Sequence, residues 1–481
     1  MSSIWKNYNA RLSYDGYFTD ENKLRKHARI ISSILEKYGN KKLQEIEKNC
    51  QSTISARGIN FRVYAANNVA EDKKWPLDII PRIIPRSQWI KISKGLIQRA
   101  KALNLFIDDV YNEGKIFKDG IIPKDLVLKS KYYLKECKNF SPKFKAWSNI
   151  SGIDLIRNIF GEYLVLEDNL RVPSGVSYML ENRMVMHDVF PELFTRYRVS
   201  PIHQYTNKLY NCMRECISKK IKDPHMVVLT PGIYNSAYFE HSFLAEQMGI
   251  ALVEGKDLFV KNDNVFMKTV KGPLKVDCIY RRIDDNFLDP KVFYKKSVLG
   301  VPGLFKCWIK GNVSILNAPG TGIADDKAVY AYVEKIISYY LKEQPILRQV
   351  ETFLCSDKKQ RDYVIANMKK LVVKPTDGSG GSGIMIGPKA PIKEINEFIR
   401  KIKSKPDNYI AQPLEILSTV PTIVKDGIDP RHVDLRPFVL TGKNMYVTAG
   451  GLTRVALRKG STIVNSSKGG GSKDTLVING Y

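Results

Sequence analysis

The chain has 481 residues, 43% of them hydrophobic and 26% charged, with 76 Lys and Arg against 49 Asp and Glu for a net charge of +27. At roughly 150 residues per folding unit, that length predicts about three units with ample core. It excludes a disulfide-stapled miniature and a disordered chain, whose mark is low hydrophobicity with high charge. Seven cysteines at irregular spacing without a CxxC pair predict reduced, mostly buried thiols. No stretch approaches the run of about 18 apolar residues of a membrane span, and residues 1–16 have no apolar signal core, so a cytoplasmic protein is expected. The basic balance admits a polyanionic partner, but Lys scattered over solvated faces is the preferred account of it. With no aromatic-rich recognition motif, nucleic acid is not the expected partner.

In chain order, LRKHARIISSILEKYG and KKLQEIEKNC have helical spacing and predict two amphipathic helices within residues 1–70. The run LDIIPRIIPRSQW, broken by Pro81 and Pro85, precedes a long helix over Ile90–Val110 with Leu96, Ala100, Leu103 and Ile107 on its apolar face. From about Ile153 the texture changes to short β-type runs: IDLIR, YLVLE, MVVLT, ALVEG, DCIYRR and NVSILN. MVVLTPGIYNSAYFEHSFLAEQMGIALVEG reads as strand, turn, helix, strand, a βαβ unit. A helix is expected over Asp325–Tyr340, and alternating strands and helices over the last 110 residues. The fold class is α/β (α+β).

Two stretches carry chemistry. In LVVKPTDGSGGSGIMIG, apolar strands flank a loop containing Gly378, Ser379, Gly380, Gly381 and Gly383. Without Cβ atoms in the way, its backbone N–H groups can close around phosphate oxygens, and Lys374 at the end of the first strand supplies a fixed positive charge. The alternative is a flexible Gly/Ser linker. It is neither a Walker A loop nor GxGxxG before a helix. In GIDLIRNIFGEYLVLEDNLRVPSG, alternation puts Glu167 and Asn169 on one strand face, about 7 Å apart. Asp154 and Glu167 are equidistant from Phe160-Gly161, so a tight turn there sets them opposite one another. Two carboxylates and an amide with no His or Cys suit a hard cation such as Mg²⁺. A solvated hairpin with ordinary surface acids is the alternative.

Glu167-x-Asn169-x-Arg171 with Lys327, Lys374 and the GSGGSG loop resembles the ATP-grasp ligases. The acid strand comes before both lysines, so the chain is similar to the circularly permuted type 2 proteins related to glutathionylspermidine synthetase. Blocks such as YDGYFTDE, LDIIPRIIPRSQW, VLEDNLRVPSGVSY, GTGIADDKAVYAYV and RHVDLRPFV carry the likeness nearly end to end.

The resemblance implies a helical N-terminal extension over 1–70 and a catalytic unit over 71–481. That unit has a helical part to 150, the hairpin and βαβ lobe over 151–325, and the ATP-binding lobes with a glycine-rich lid over 326–481. It further implies Asp154, Glu167 and Asn169 as magnesium ligands, Arg171 facing the reacting phosphoryl group, and Lys327 and Lys374 on ATP phosphates. Gln412 and the backbone at Leu414 fall at the adenine. In RHVDLRPFV, alternation sets His432, Asp434 and Arg436 on one face toward the nucleotide cleft, His432 being a nucleotide contact or a structural donor. Arg454 and Gly469-Gly470-Gly471 are candidates for the acceptor side, or for packing and turn roles. Lys468 stands where the family has Gln, which leaves substrate preference open.

The implied activity joins a small-molecule or peptide carboxylate to an amine through an acylphosphate, ATP giving ADP and phosphate. An Mg-ATP-binding scaffold without turnover is the alternative. The identity of acid and amine and the oligomeric state are not written in the sequence.

Overall fold

The computed structural model describes residues 3–10, 13–64, 70–219, 221–378, 383–425, 427–461, 464 and 469–480. Its main sheet has eight strands among these residues. Across it run Arg348–Gln349, Tyr163–Asn169, Ile150–Arg157, Gly427–Thr441, Met445–Val455, Gly471–Ile478 and Leu77–Pro85, with Thr419–Val424 folded back on Gly427–Thr441. Pro81 interrupts the ladder at no cost because Leu77–Pro85 is an edge strand. The helix Arg86–Tyr111 follows at once and buries Leu96, Ala100, Leu103 and Ile107, the face its spacing predicts. Leu96 and Ala100 share a core with Ile153, Leu155, Val165, Leu435 and Val477 of the sheet, which fixes the hairpin against this helix.

A second sheet is parallel, ordered Ser314–Leu316, Cys278–Arg281, Met226–Leu229, Ala251–Val253. The helix Tyr238–Met248 makes the crossover between its last two strands, the βαβ unit read from the sequence. The third sheet, Phe353–Leu354, Tyr409–Pro413, Leu371–Pro375 and Met385–Ile386, carries the glycine loop between its last two strands.

Two helical expectations change in detail. The first long helix, Arg29–Ala56, is broken at Gly39 (φ 64°, ψ 175°) into the two expected pieces. Its buried Ile31, Leu35 and Ile46 share one core with Ile79, Met186 and Leu476, so these early residues pack into the body of the fold. The expected helix over Asp325–Tyr340 is instead two, Lys327–Tyr330 and Val333–Leu341. Gln349 Nε2 donates to the Tyr330 carbonyl at 2.8 Å, taking the acceptor a continuous helix would use. All seven cysteines are free and buried. No helix among the described residues is long and apolar enough to cross a membrane.

Candidate active site

The site is built on the hairpin Ile150–Arg157 and Tyr163–Asn169, where Asp154 pairs with Glu167 and Gly152 with Asn169. The register shifts by one between Asp154 and Leu155, so Leu155 faces Val165 and Leu166 is the extra, bulged residue. The turn is longer than the tight turn expected. Asn158 N–H donates to Glu162 O and Gly161 N–H to Asn158 O, each at 3.0 Å, and Gly161 takes φ 81°, a left-handed position that favours glycine.

Glu167 lines a narrow hollow of about 10 Å³ with Lys327, Lys374, Asp325, Tyr330 and Gln412. Lys374 leaves the third sheet from strand Leu371–Pro375 and donates to Gln412 Oε1 at 2.6 Å, while Gln412 Nε2 donates to Thr352 Oγ1 at 2.9 Å. Burial pushes the Lys374 ammonium down to about 8; Glu167 opposes that shift and Lys327 adds to it, so the three side chains share one field. Lys327 opens the helix Lys327–Tyr330, which Asp326 caps through Ala328 N–H. Its Nζ donates to the carbonyl of Gly378 at 2.5 Å and its N–H to Thr376 O at 3.2 Å, tying the base of the glycine loop to the other lobe.

Glu167 has no hydrogen-bond or ion-pair partner among the described residues, and the Asn169 side-chain nitrogen is buried without one. Buried polar atoms without partners are rare enough to ask what they serve. The Glu167 carboxylate, facing two lysines, fits a hard divalent cation that takes its other oxygens from phosphates, water and the amide oxygen of Asn169 two residues along the strand. No cluster of three His, Cys, Asp or Glu side chains among the described residues could hold a metal without such help.

Asp154 departs from the expected ligand set. Arg436 donates to both its oxygens (Nε–Oδ1 2.5 Å, Nη2–Oδ2 2.8 Å) and Arg454 Nη2 to Oδ2 at 2.8 Å. Burial alone would raise the Asp154 carboxyl, but the two guanidinium groups hold it below the usual range. Arg454 also donates to Asp434. The expected acceptor-side arginine is therefore locked between two acids. Arg436, which alternation in RHVDLRPFV sets on one face with His432 and Asp434, completes the cluster.

Arg171 likewise is engaged, with Nη1 at 2.6 Å from Asp284 Oδ2 and Nε at 3.4 Å from Asp325 Oδ2. Burial works against its charge, and Asp325 and Asp284 more than restore it. Burial also raises Asp325 to about 6, although Arg171 and the Leu170 N–H favour its charged form. Nη2 makes no hydrogen bond among the described residues. IDDN and ADDK, which carry these aspartates, were the unread signals.

Of the remaining expectations, His432 donates from Nδ1 to Leu417 O at 2.7 Å, a structural bond, and burial lowers its pKa. Leu414 is half-buried just past strand Tyr409–Pro413. Gly378 and Gly383 flank the loop, with Gly383 at φ 70°. Ser379, Gly380 and Gly381 lie outside the described residues, as does Lys468. Gly469 and Gly470 lead into Gly471, which opens the strand Gly471–Ile478.

Two lysines from different parts of the chain facing an acid across one hollow is how an ATP-grasp ligase, an enzyme that joins an acid to an amine, is put together. The chain belongs to the circularly permuted ATP-grasp type 2 family, whose profile matches residues 81–456. An uncharacterized protein of Synechocystis is 50% identical over 439 residues, 91% of each chain. One of Mycobacterium tuberculosis is 48% identical over 409 residues, 85% of this chain and 74% of its own. A provisionally named glutamate–cysteine ligase of Frankia alni is 39% identical over 465 residues, 96% of this chain but only 54% of its own length. Among solved structures, a glutathione synthetase-like effector from Globodera pallida, in its apo form, matches with TM-score 0.55 at 11% identity. The match covers 92% of this chain and 98% of that one, a likeness of fold alone.

Proposed function

We propose that this chain binds the phosphates of Mg-ATP where Glu167 meets the lysine pair and transfers the γ-phosphoryl group to a substrate carboxylate. An amine then attacks the acylphosphate, forming an amide and releasing phosphate. The observation that carries this reading is Glu167, without a hydrogen-bond or ion-pair partner among the described residues, lining one hollow with Lys327 and Lys374. Glu167 and Asn169 would hold magnesium, which supplies neutralisation of the triphosphate charge.

The remaining chemistry is charge control by the chain's own residues. A carboxylate approaching a triphosphate is repelled, and Lys374, Lys327 and the uncommitted Nη2 of Arg171 offset that repulsion in a partly dehydrated cleft. Lys374 is held by Gln412, so its ammonium needs little reorganisation to meet a phosphate oxygen.

Substrates are proposed only by class, a small-molecule or peptide acid and an amine. The glutamate–cysteine ligase name belongs to relatives of which this chain spans about half, and it does not carry over by itself. The test is Glu167→Gln and Lys374→Ala in a screen of acid and amine pairs for ADP release, with mass spectrometry of the product. Both variants should lose substrate-dependent ADP release by about 10² to 10³ while remaining folded. Wild-type turnover in either refutes the assignment, AMP in place of ADP refutes the acylphosphate route, and Mg-ATP binding without turnover across the panel favours a scaffold.

A further inference from the structure

The segment Ser130-Lys131-Tyr132 makes three consecutive contacts around the site. Ser130 Oγ donates to Asp326 Oδ2 at 2.6 Å, the acid that caps the Lys327 helix. Lys131 Nζ pairs with Asp377 Oδ2 at 2.8 Å. Tyr132 donates from its hydroxyl to the Asp377 carbonyl at 2.9 Å, and its ring lies under Arg171, 4.7 Å from guanidinium carbon to ring centroid. The close stack depends on Gly322, where a Cβ would come within 3.1 Å of Tyr132 and 3.2 Å of Arg171.

One side chain thus holds two parts of the proposed machinery at once. Its hydroxyl fixes residue 377, between the two carbonyls, Thr376 and Gly378, that Lys327 bonds. Its ring supports the face of Arg171, whose edge is bonded by Asp284 and Asp325. A cation over a tyrosine face is held by the ring quadrupole without using up an N–H, so Nη2 stays free for a phosphate oxygen.

We propose that Tyr132 is a positioning residue that sets Arg171 and Lys327 together for the terminal phosphoryl group. The inference rests on the Mg-ATP reading and deepens it, because it assigns the part of the site that separates a triphosphate from a diphosphate. A merely structural tyrosine would not discriminate between them.

The test is calorimetric titration of Mg-AMP-PNP and Mg-ADP into the full chain, its Tyr132→Phe variant and its Tyr132→Leu variant, with thermal melts as the check of folding. Tyr132→Phe keeps the ring and loses one hydrogen bond, so Mg-AMP-PNP should weaken about three- to tenfold with Mg-ADP unchanged. Tyr132→Leu also frees Arg171, and the triphosphate should weaken by about threefold more. If Tyr132→Leu does not fold, Tyr132→Phe decides alone. A ratio of the two affinities that stays at the wild-type value, whether both hold or both fall together, overturns the role of Tyr132. A wild-type chain that binds neither nucleotide instead removes the Mg-ATP reading, and this role with it.

Discussion

The strand Tyr163–Asn169 carries acids of two kinds on its two faces. Asp168 turns toward the helix Arg86–Tyr111, where Arg99 grips both its oxygens at 2.7 Å and both side chains are 1% exposed. Gln349 accepts from Arg99 Nη1 at 3.1 Å, so the guanidinium is well supplied. Glu167, one residue earlier and on the other face, reaches the hollow with no partner among the described residues. A buried charge that the fold completes is a structural element, whereas a half-buried one left incomplete beside two lysines marks a place for a ligand. Their differing sensitivity to substitution separates the two roles.

The largest effect should come from the completed face. Asp168→Ala leaves Arg99 buried and unpaired and should cost about 3–5 kcal/mol in urea unfolding, while Arg99→Met with Asp168→Leu should recover most of that. A double variant as unstable as the single one would break the comparison. Glu167→Gln should do the reverse, leaving unfolding within about 0.5 kcal/mol of wild type while turnover falls as stated above.

Asp154 tests the boundary between the faces. A ligand-only acid would be neutral to stability before nucleotide is added, but two guanidinium groups bond this one. Asp154→Asn should therefore cost about 1.5–3 kcal/mol in the free protein, the worth of hydrogen bonds to a charged group. An unchanged unfolding midpoint would return Asp154 to the metal.

The hairpin also shows how far sequence reasoning reaches. The pairing of Asp154 with Glu167 is legible from symmetry about Phe160-Gly161, yet the route differs. The turn is centred on Phe160 alone, and the bulge at Leu166 restores the expected register. Two local departures cancel at the acids because a glycine turn and a bulge each displace the pairing by half a step. The glycine loop between strands, the lysine before it and the βαβ unit follow from local pattern and were legible for that reason. The partners of the arginines were not. Arg436 lies 282 residues from Asp154, and Arg99 lies 69 from Asp168. Alternation tells which residues share a face, but strand order across the sheet decides what that face meets.

The smallest effect is a slope with pH, and it comes from Lys374. Burial lowers this lysine to about 8 in the free protein, below its usual value in an unfolded chain. Between those two values the unfolded chain binds more protons than the folded one, so stability of the free protein should rise as pH rises through that window. Below about 8 the lysine is charged in both states and the contribution is flat. Nucleotide binding should run the other way. A triphosphate favours the charged ammonium, so above about pH 8 binding must take up a proton and affinity should fall by up to about tenfold per unit. Titrations of Mg-AMP-PNP in two buffers of different ionisation heat would show that proton uptake near pH 8.5. Lys374→Arg, which keeps the charge and does not titrate in this range, should lose both slopes. Slopes of the same sign, or an uptake that survives Lys374→Arg, would move the titrating group elsewhere in the cleft.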